Sequence, residues 1–182
     1  MSRRTFKTFG TNLISAIALL ILHKNILLNV LGVPTQCVNY HNLTEENRNR
    51  NITEVRIPVC EALQIGWYRF MNKAGSILTS KPVEAGMCSA QNPGRLLGSH
   101  PCTIHKTIDA QVCFIDQNEC GKRVDISITL CGEYYVYRLP ALNCSREMRG
   151  RYCGEDSKVP ISSCNTTNIN PTKSNAARTT NQ

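Results

Sequence analysis

Nothing restricts this chain so much as its ten cysteines, at positions 37, 60, 88, 102, 113, 120, 131, 144, 153 and 164. An even number of cysteines behind a secretory leader reads as a disulfide framework, here of five bonds. Ten cysteines admit about 945 pairings, so spacing alone selects none of them. Cross-links also suit the composition. Aromatic residues are 6% of the 182, a thin supply for a large core.

The leader is read from residues 1–32. Arg3, Arg4 and Lys7 form a positive n-region, and Leu13 to Leu22 an apolar stretch of h-region length. His23, Lys24 and Asn25 interrupt it before a second apolar run, Ile26 to Val33. A spanning helix needs about 20 apolar residues without such a break, so a cleaved signal peptide is the reading. Val30 and Gly32 offer a cleavage context, and the mature chain is expected to start near Val33. Residues 165–182, rich in Asn, Thr and Ser, cannot bury enough surface to offset their ordering entropy and read as a disordered polar tail. They carry no lipid-anchor signal, so secretion without stable membrane insertion after leader removal is expected. The formal charge of +8 falls to +4 without the four cations of residues 1–32, leaving 17 Lys and Arg against 13 Asp and Glu. That balance is too mild and scattered for nucleic acid.

Metal chemistry is the rival use of cysteine. His100, Cys102 and His105 form an H-x-C-x-x-H cluster, but there is no C-x-x-C knuckle, and an oxidising compartment favours disulfides. No metal or cofactor is expected, and an oxidised cysteine supplies no thiolate nucleophile. Four N-glycosylation sequons stand at Asn42, Asn51, Asn143 and Asn165, whereas Pro171 disqualifies Asn170. Asn42 and Asn51 lie in a polar stretch that tolerates a glycan. Cys144 in the middle of the Asn143 sequon sets disulfide closure against glycosylation.

Periodicity points to strands. Val124, Ile126, Ile128 and Leu130 alternate with Asp125, Ser127 and Thr129. Val112 to Ile115 is a second apolar run, and Asp116 to Lys122 supplies turn chemistry between the two, flanked by Cys113 and Cys120. Tyr134 to Leu139 and Gly66 to Phe70 read as further strands, the latter ending in a turn at Asn72 to Gly75. Lys81 to Pro101, rich in Pro, Gly, Asn and Ser, reads as loop. Trp67, Tyr68 and Phe70 are expected in the core, with Arg69 covering apolar surface. Tyr135 is expected to face away from Tyr134 and Tyr137. The fold class is a mostly β, loop-rich, disulfide-stabilised single domain over residues 33–164.

Cys60 to Phe70, ending Gly66-Trp67-Tyr68-Arg69-Phe70, resembles the signature of the uromodulin-type eight-cysteine extracellular domain. Further blocks follow in that family's order: Pro93 to Pro101, Val112-Cys113, Cys131 to Tyr137, and Cys144 and Cys153. The resemblance spans Cys37 to Cys153. It implies the pairs Cys37–Cys131, Cys60–Cys144, Cys88–Cys153 and Cys113–Cys120. Cys102 and Cys164 have no counterpart in the eight-cysteine pattern and are paired with each other.

The resemblance implies a secreted, N-glycosylated, non-enzymatic interaction module, a soluble decoy or adhesion glycoprotein recognised through loops or glycans. The partner it implies is an extracellular or glycan-binding protein, a microbial adhesin among the candidates. Sequons that such domains carry at the positions of Leu97 and Arg138 are missing. The chain also ends without the polymerising zona-pellucida-type module, so no filament is expected from it alone. Two alternatives stand beside this reading. A small secreted hydrolase lacks a G-x-S-x-G elbow, an H-E-x-x-H motif and a phosphate loop. Weak glycosaminoglycan binding would use Arg146, Arg149 and Arg151 with Lys122 and Arg123, diluted by Glu147 and Glu155.

Overall fold

A computed structural model describes residues 9–30, 32–53, 59–117, 119–145 and 149–158. The apolar N-terminal segment forms helix α1, Phe9–Val30. Among the described residues no helix is long and apolar enough to cross a membrane. The 165–182 tail and Cys164 lie outside the described residues.

From His41 onward the chain is mostly strand, joined by single turns of 3₁₀ helix. The strands are β1 (His41–Leu43), β2 (Gly66–Phe70), β3 (Ile77–Leu78), β4 (Asn92–Leu97), β5 (Thr107–Asp116), β6 (Glu119–Leu130), β7 (Tyr135–Leu139), β8 (Gly150–Tyr152) and β9 (Gly154–Glu155). Seven form one sheet in the order β1-β2-β7-β6-β5-β4-β8, and β3 pairs with β9. Pairing is antiparallel except β1 with β2 and β4 with β8.

The alternation along β6 sets the two faces of the sheet. Ile126, Ile128 and Leu130 join Tyr68, Phe70, Val112, Phe114, Tyr137 and Leu139 in one core, and Ile77, Leu78 and Ala74 pack onto it from the β3 side. Phe70 meets Tyr137 edge to face at 5.5 Å, and Leu78 N donates to Tyr137 Oη at 3.1 Å. Tyr135 and Tyr137, two positions apart on β7, share this core face, so Tyr135 does not oppose Tyr137 as expected; only Tyr134 turns away. Trp67 likewise leaves the core expected for it. It alternates with Tyr68 and Phe70 and packs half-buried against the Cys37–Cys131 bond on the other face.

Lys81 to Pro101 is corrected as well, because β4 runs through its middle. Pro93 sits where β4 has not yet begun to pair with β5, whose register starts at Gly94 opposite Phe114. Gly94 is required there: a Cβ would lie 2.5 Å from the Phe114 ring. What reads as loop composition is the clearance for a core aromatic.

Four disulfides are described: Cys37–Cys131, Cys60–Cys144, Cys88–Cys153 and Cys113–Cys120, with Cα separations of 5.4 to 6.0 Å. Cys102 is also disulfide-bonded. Cys88 and Cys153 anchor a second small core with Val83, Cys113 and Ile115.

Candidate functional site

The face of the sheet turned away from the core carries a groove of about 640 Å³ across β2, β7, β6 and β5. Register builds it. Trp67 stands opposite Arg138, Arg138 opposite Ser127, and Ser127 opposite Asp109, one row on one face. The neighbouring row brings Asp125 opposite Gln111, with Ile65 and Pro140 at its end. Gln111 Nε2 donates to Asp125 Oδ1 at 2.8 Å, and Ser127 Oγ donates to Asp109 Oδ1 at 3.1 Å. The Arg138 side chain, exposed among them, has no ion pair or side-chain hydrogen bond among the described residues. Ile65 is 69% exposed. Polar walls beside an exposed apolar side chain can meet a partner through hydrogen bonds and apolar contact together.

The other end of that face is covered. Gln36 Nε2 donates to Thr107 Oγ1 and Thr129 Oγ1, each at 3.1 Å, and Tyr134 Oη donates to Cys37 O at 2.5 Å. Arg69 lies over the Tyr134 ring, 3.8 Å from its centroid, and donates to Tyr40 Oη at 3.0 Å. Its role is the covering one expected for it.

A buried ionic cluster fastens the segment that carries two sequons. Arg48, 1% exposed, makes a two-bond contact with Glu61, Nη2 to Oε1 at 3.1 Å and Nη1 to Oε2, and reaches Tyr152 O at 3.3 Å. Glu45 adds contacts to Nε and Nη2, each at 3.3 Å. Burial opposes the Arg48 charge, but Glu61 and Glu45 outweigh it and raise the guanidinium pKa. Burial pushes the Glu45 carboxyl up, and the Arg48 bond and charge bring it net down. Arg50 N donates to Gly154 O at 2.8 Å, and Asn49 Nδ2 to Asp156 Oδ2 at 3.1 Å. Sequence reasoning missed this cluster. Arg48 and Glu61 lie thirteen residues apart with no shared periodicity, and Glu45 at i−3 from Arg48 was the single local signal.

The histidine cluster does not assemble as a site. His100 is buried against Tyr135, ring centroids 4.6 Å apart, and its Nε2 lies 2.9 Å from Tyr137 Oη. Leu78 N already donates to that oxygen, which leaves the phenol proton for His100. Burial lowers the His100 pKa to about 4, with the Glu155 charge a minor opposing influence. The ring is therefore neutral at pH 7 and fixes its loop through a hydrogen bond. Cys102, being disulfide-bonded, offers no thiolate, and His105 is exposed. Among the described residues no group of three or more His, Cys, Asp or Glu is placed to hold a metal.

Asn42, Asn51 and Asn143 are all exposed: on β1, after the Arg48 cluster, and beside the Cys60–Cys144 bond. Asn165 lies outside the described residues. The cationic cluster is broken up: Arg151 is buried, its Nη1 directed at Asn47 O at 3.4 Å, while Lys122 and Arg123 are exposed on the β5–β6 hairpin. Arg146 and Glu147 lie outside the described residues, and Glu155 is buried.

Residues 68–154 match the family described as the uromodulin-like cysteine-rich domain. Over 105 residues the chain is 29% identical to the human pancreatic secretory granule membrane major glycoprotein GP2, covering 57% of this chain and 19% of that protein. The chain thus spans about a fifth of the length of that relative. Cys37 and Cys60 lie upstream of the family match, although their partners Cys131 and Cys144 lie within it.

Proposed function

From the uromodulin-type domain that residues 68–154 form, an extracellular glycoprotein-type module, we propose a secreted, non-enzymatic protein that binds its partners through N-glycans. In this reading residues 1–32 are removed as a leader and glycans occupy Asn42, Asn51, Asn143 and Asn165. They present carbohydrate to a glycan-binding protein such as a microbial adhesin, and a soluble module doing so acts as a decoy. The observation that carries the reading is the exposure of Asn42, Asn51 and Asn143 on a frame cross-linked by disulfides. The test takes protein secreted from glycosylating cells, maps occupancy by mass spectrometry, and measures capture on immobilised microbial adhesins before and after N-glycan removal. Occupied sites and capture lost on deglycosylation are expected. Unoccupied sites, or capture unchanged by deglycosylation, overturn it.

The outer groove favours a second, protein-borne mode of contact. Arg138 stands there without an ion-pair partner among the described residues, beside an exposed Ile65. Binding of an extracellular protein through this surface would survive deglycosylation and weaken in an Arg138→Glu variant. Capture on an extracellular-protein array, insensitive to that substitution, dismisses the groove.

A further inference from the structure

Of the two edges of the seven-stranded sheet, one is covered and one is open. Edge strand β8 is buried, Glu61 N donating to Gly150 O at 2.8 Å and Arg48 reaching Tyr152 O. Edge strand β1 pairs with β2 alone among the described residues, and His41 and Asn42 are exposed. Met71 N donates to Leu43 O at 2.9 Å, so the Leu43 backbone faces β2. By strand alternation the N–H and C=O of Asn42 then face outward, free to pair with another strand. Proteins commonly guard such an edge with a charge, a proline or a bulge. Tyr40 to Thr44 holds no Lys, Arg, Asp, Glu or Pro. It holds a sequon, Asn42-Leu43-Thr44, centred on the residue whose backbone is unpaired.

We propose that a glycan on Asn42 is the cap of this sheet edge, and that the occupant it excludes is β1 of a second copy of the chain. The inference rests on the proposed glycosylation but not on recognition of the glycan by any partner. Asn42 is opposite Arg69, so its side chain stands on the outer face beside the Arg69–Tyr40 contact. A branched sugar rooted there blocks strand approach sterically while leaving the β1–β2 bonds intact. Two copies lacking it present self-complementary edges, and antiparallel β1–β1 pairing closes as a two-fold dimer.

The experiment uses the full chain secreted from glycosylating cells. Thr44→Ala removes the sequon while keeping Asn42, and Thr53→Ala removes only the Asn51 sequon. Occupancy at Asn42 is read by mass spectrometry, and mass in solution by sedimentation over a hundredfold range of concentration. The wild type and Thr53→Ala are expected to remain monomers, and Thr44→Ala to double its apparent mass as concentration rises. Adding Asn42→Pro to Thr44→Ala restores the monomer, because proline removes the outward N–H and spares the bonds to β2. An unoccupied Asn42 in the wild type, a monomeric Thr44→Ala protein, or a dimer that Asn42→Pro does not dissociate each overturns the proposal. Loss of adhesin capture with the edge behaviour as expected would bear on the proposed function alone.

Discussion

Two buried residues set how this domain responds to substitution and acid. Glu61 is held by Arg48 and accepts from Tyr152 N at 3.4 Å, so its loss leaves a buried guanidinium with Glu45 as its remaining carboxylate. Breaking a buried pair on one side costs about 3–5 kcal/mol, and Glu61→Ala is expected to lower the urea midpoint accordingly, with the disulfides intact. His100 acts through protons. Its folded pKa of about 4 lies below its ordinary 6.5, so as pH falls the unfolded chain takes up the proton first. The neutral ring thus contributes fully above pH 6.5, and that contribution drains away towards pH 4. The shift is worth up to about 3 kcal/mol. Stability of the wild type minus that of His100→Gln, followed by urea melts across this range, should shrink as acid is added. A constant difference would show that the ring does not titrate with folding.

At the scale of the element, legibility followed periodicity. β6 announced itself through four alternating apolar residues, and β2 and β7 through dense aromatic and β-branched runs. β4 stayed hidden because Asn92, Pro93 and Gly94 carry turn chemistry, while the reason for glycine is a ring from another strand. Gly94→Ala sets a Cβ 2.5 Å from Phe114, which is itself wedged at 5.3 Å against Tyr152. Such overpacking costs about 1–3 kcal/mol, and a fall in thermal midpoint with unchanged far-ultraviolet dichroism is expected. Were Gly94→Ala as stable as the wild type, the glycine would answer to something other than that ring. The groove was illegible for a related reason. Asp109, Asp125 and Arg138 meet only once four strands are in register, and no local pattern encodes a meeting across 29 residues.

For the whole molecule the question is what the long cross-links add to a sheet already bound by hydrogen bonds. Cys37–Cys131 spans 94 residues and pins the segment bearing Gln36 over Thr107 and Thr129, whereas Cys113–Cys120 spans 7 within a hairpin that its own ladder registers. Chain entropy assigns about 4–5 kcal/mol to the first bond and about 2–3 kcal/mol to the second. The paired variants Cys37→Ser with Cys131→Ser, and Cys113→Ser with Cys120→Ser, should therefore differ in urea midpoint by nearly a factor of two in the loss. They should differ in location as well. Releasing Cys37 frees the 3₁₀ turn Thr35–Cys37, and amide exchange should quicken at Cys37, Val38 and Asn39, whose N–H groups bond to Pro34 and Thr35. Exchange at the same amides should stay unchanged in the hairpin variant. Equal losses in the two variants would mean that packing decides instead, because Cys113 is fully buried with Val83 and Ile115 while Cys131 sits nearer the surface. The long bond would then serve to cover the outer face, with the stability residing in the core beneath it.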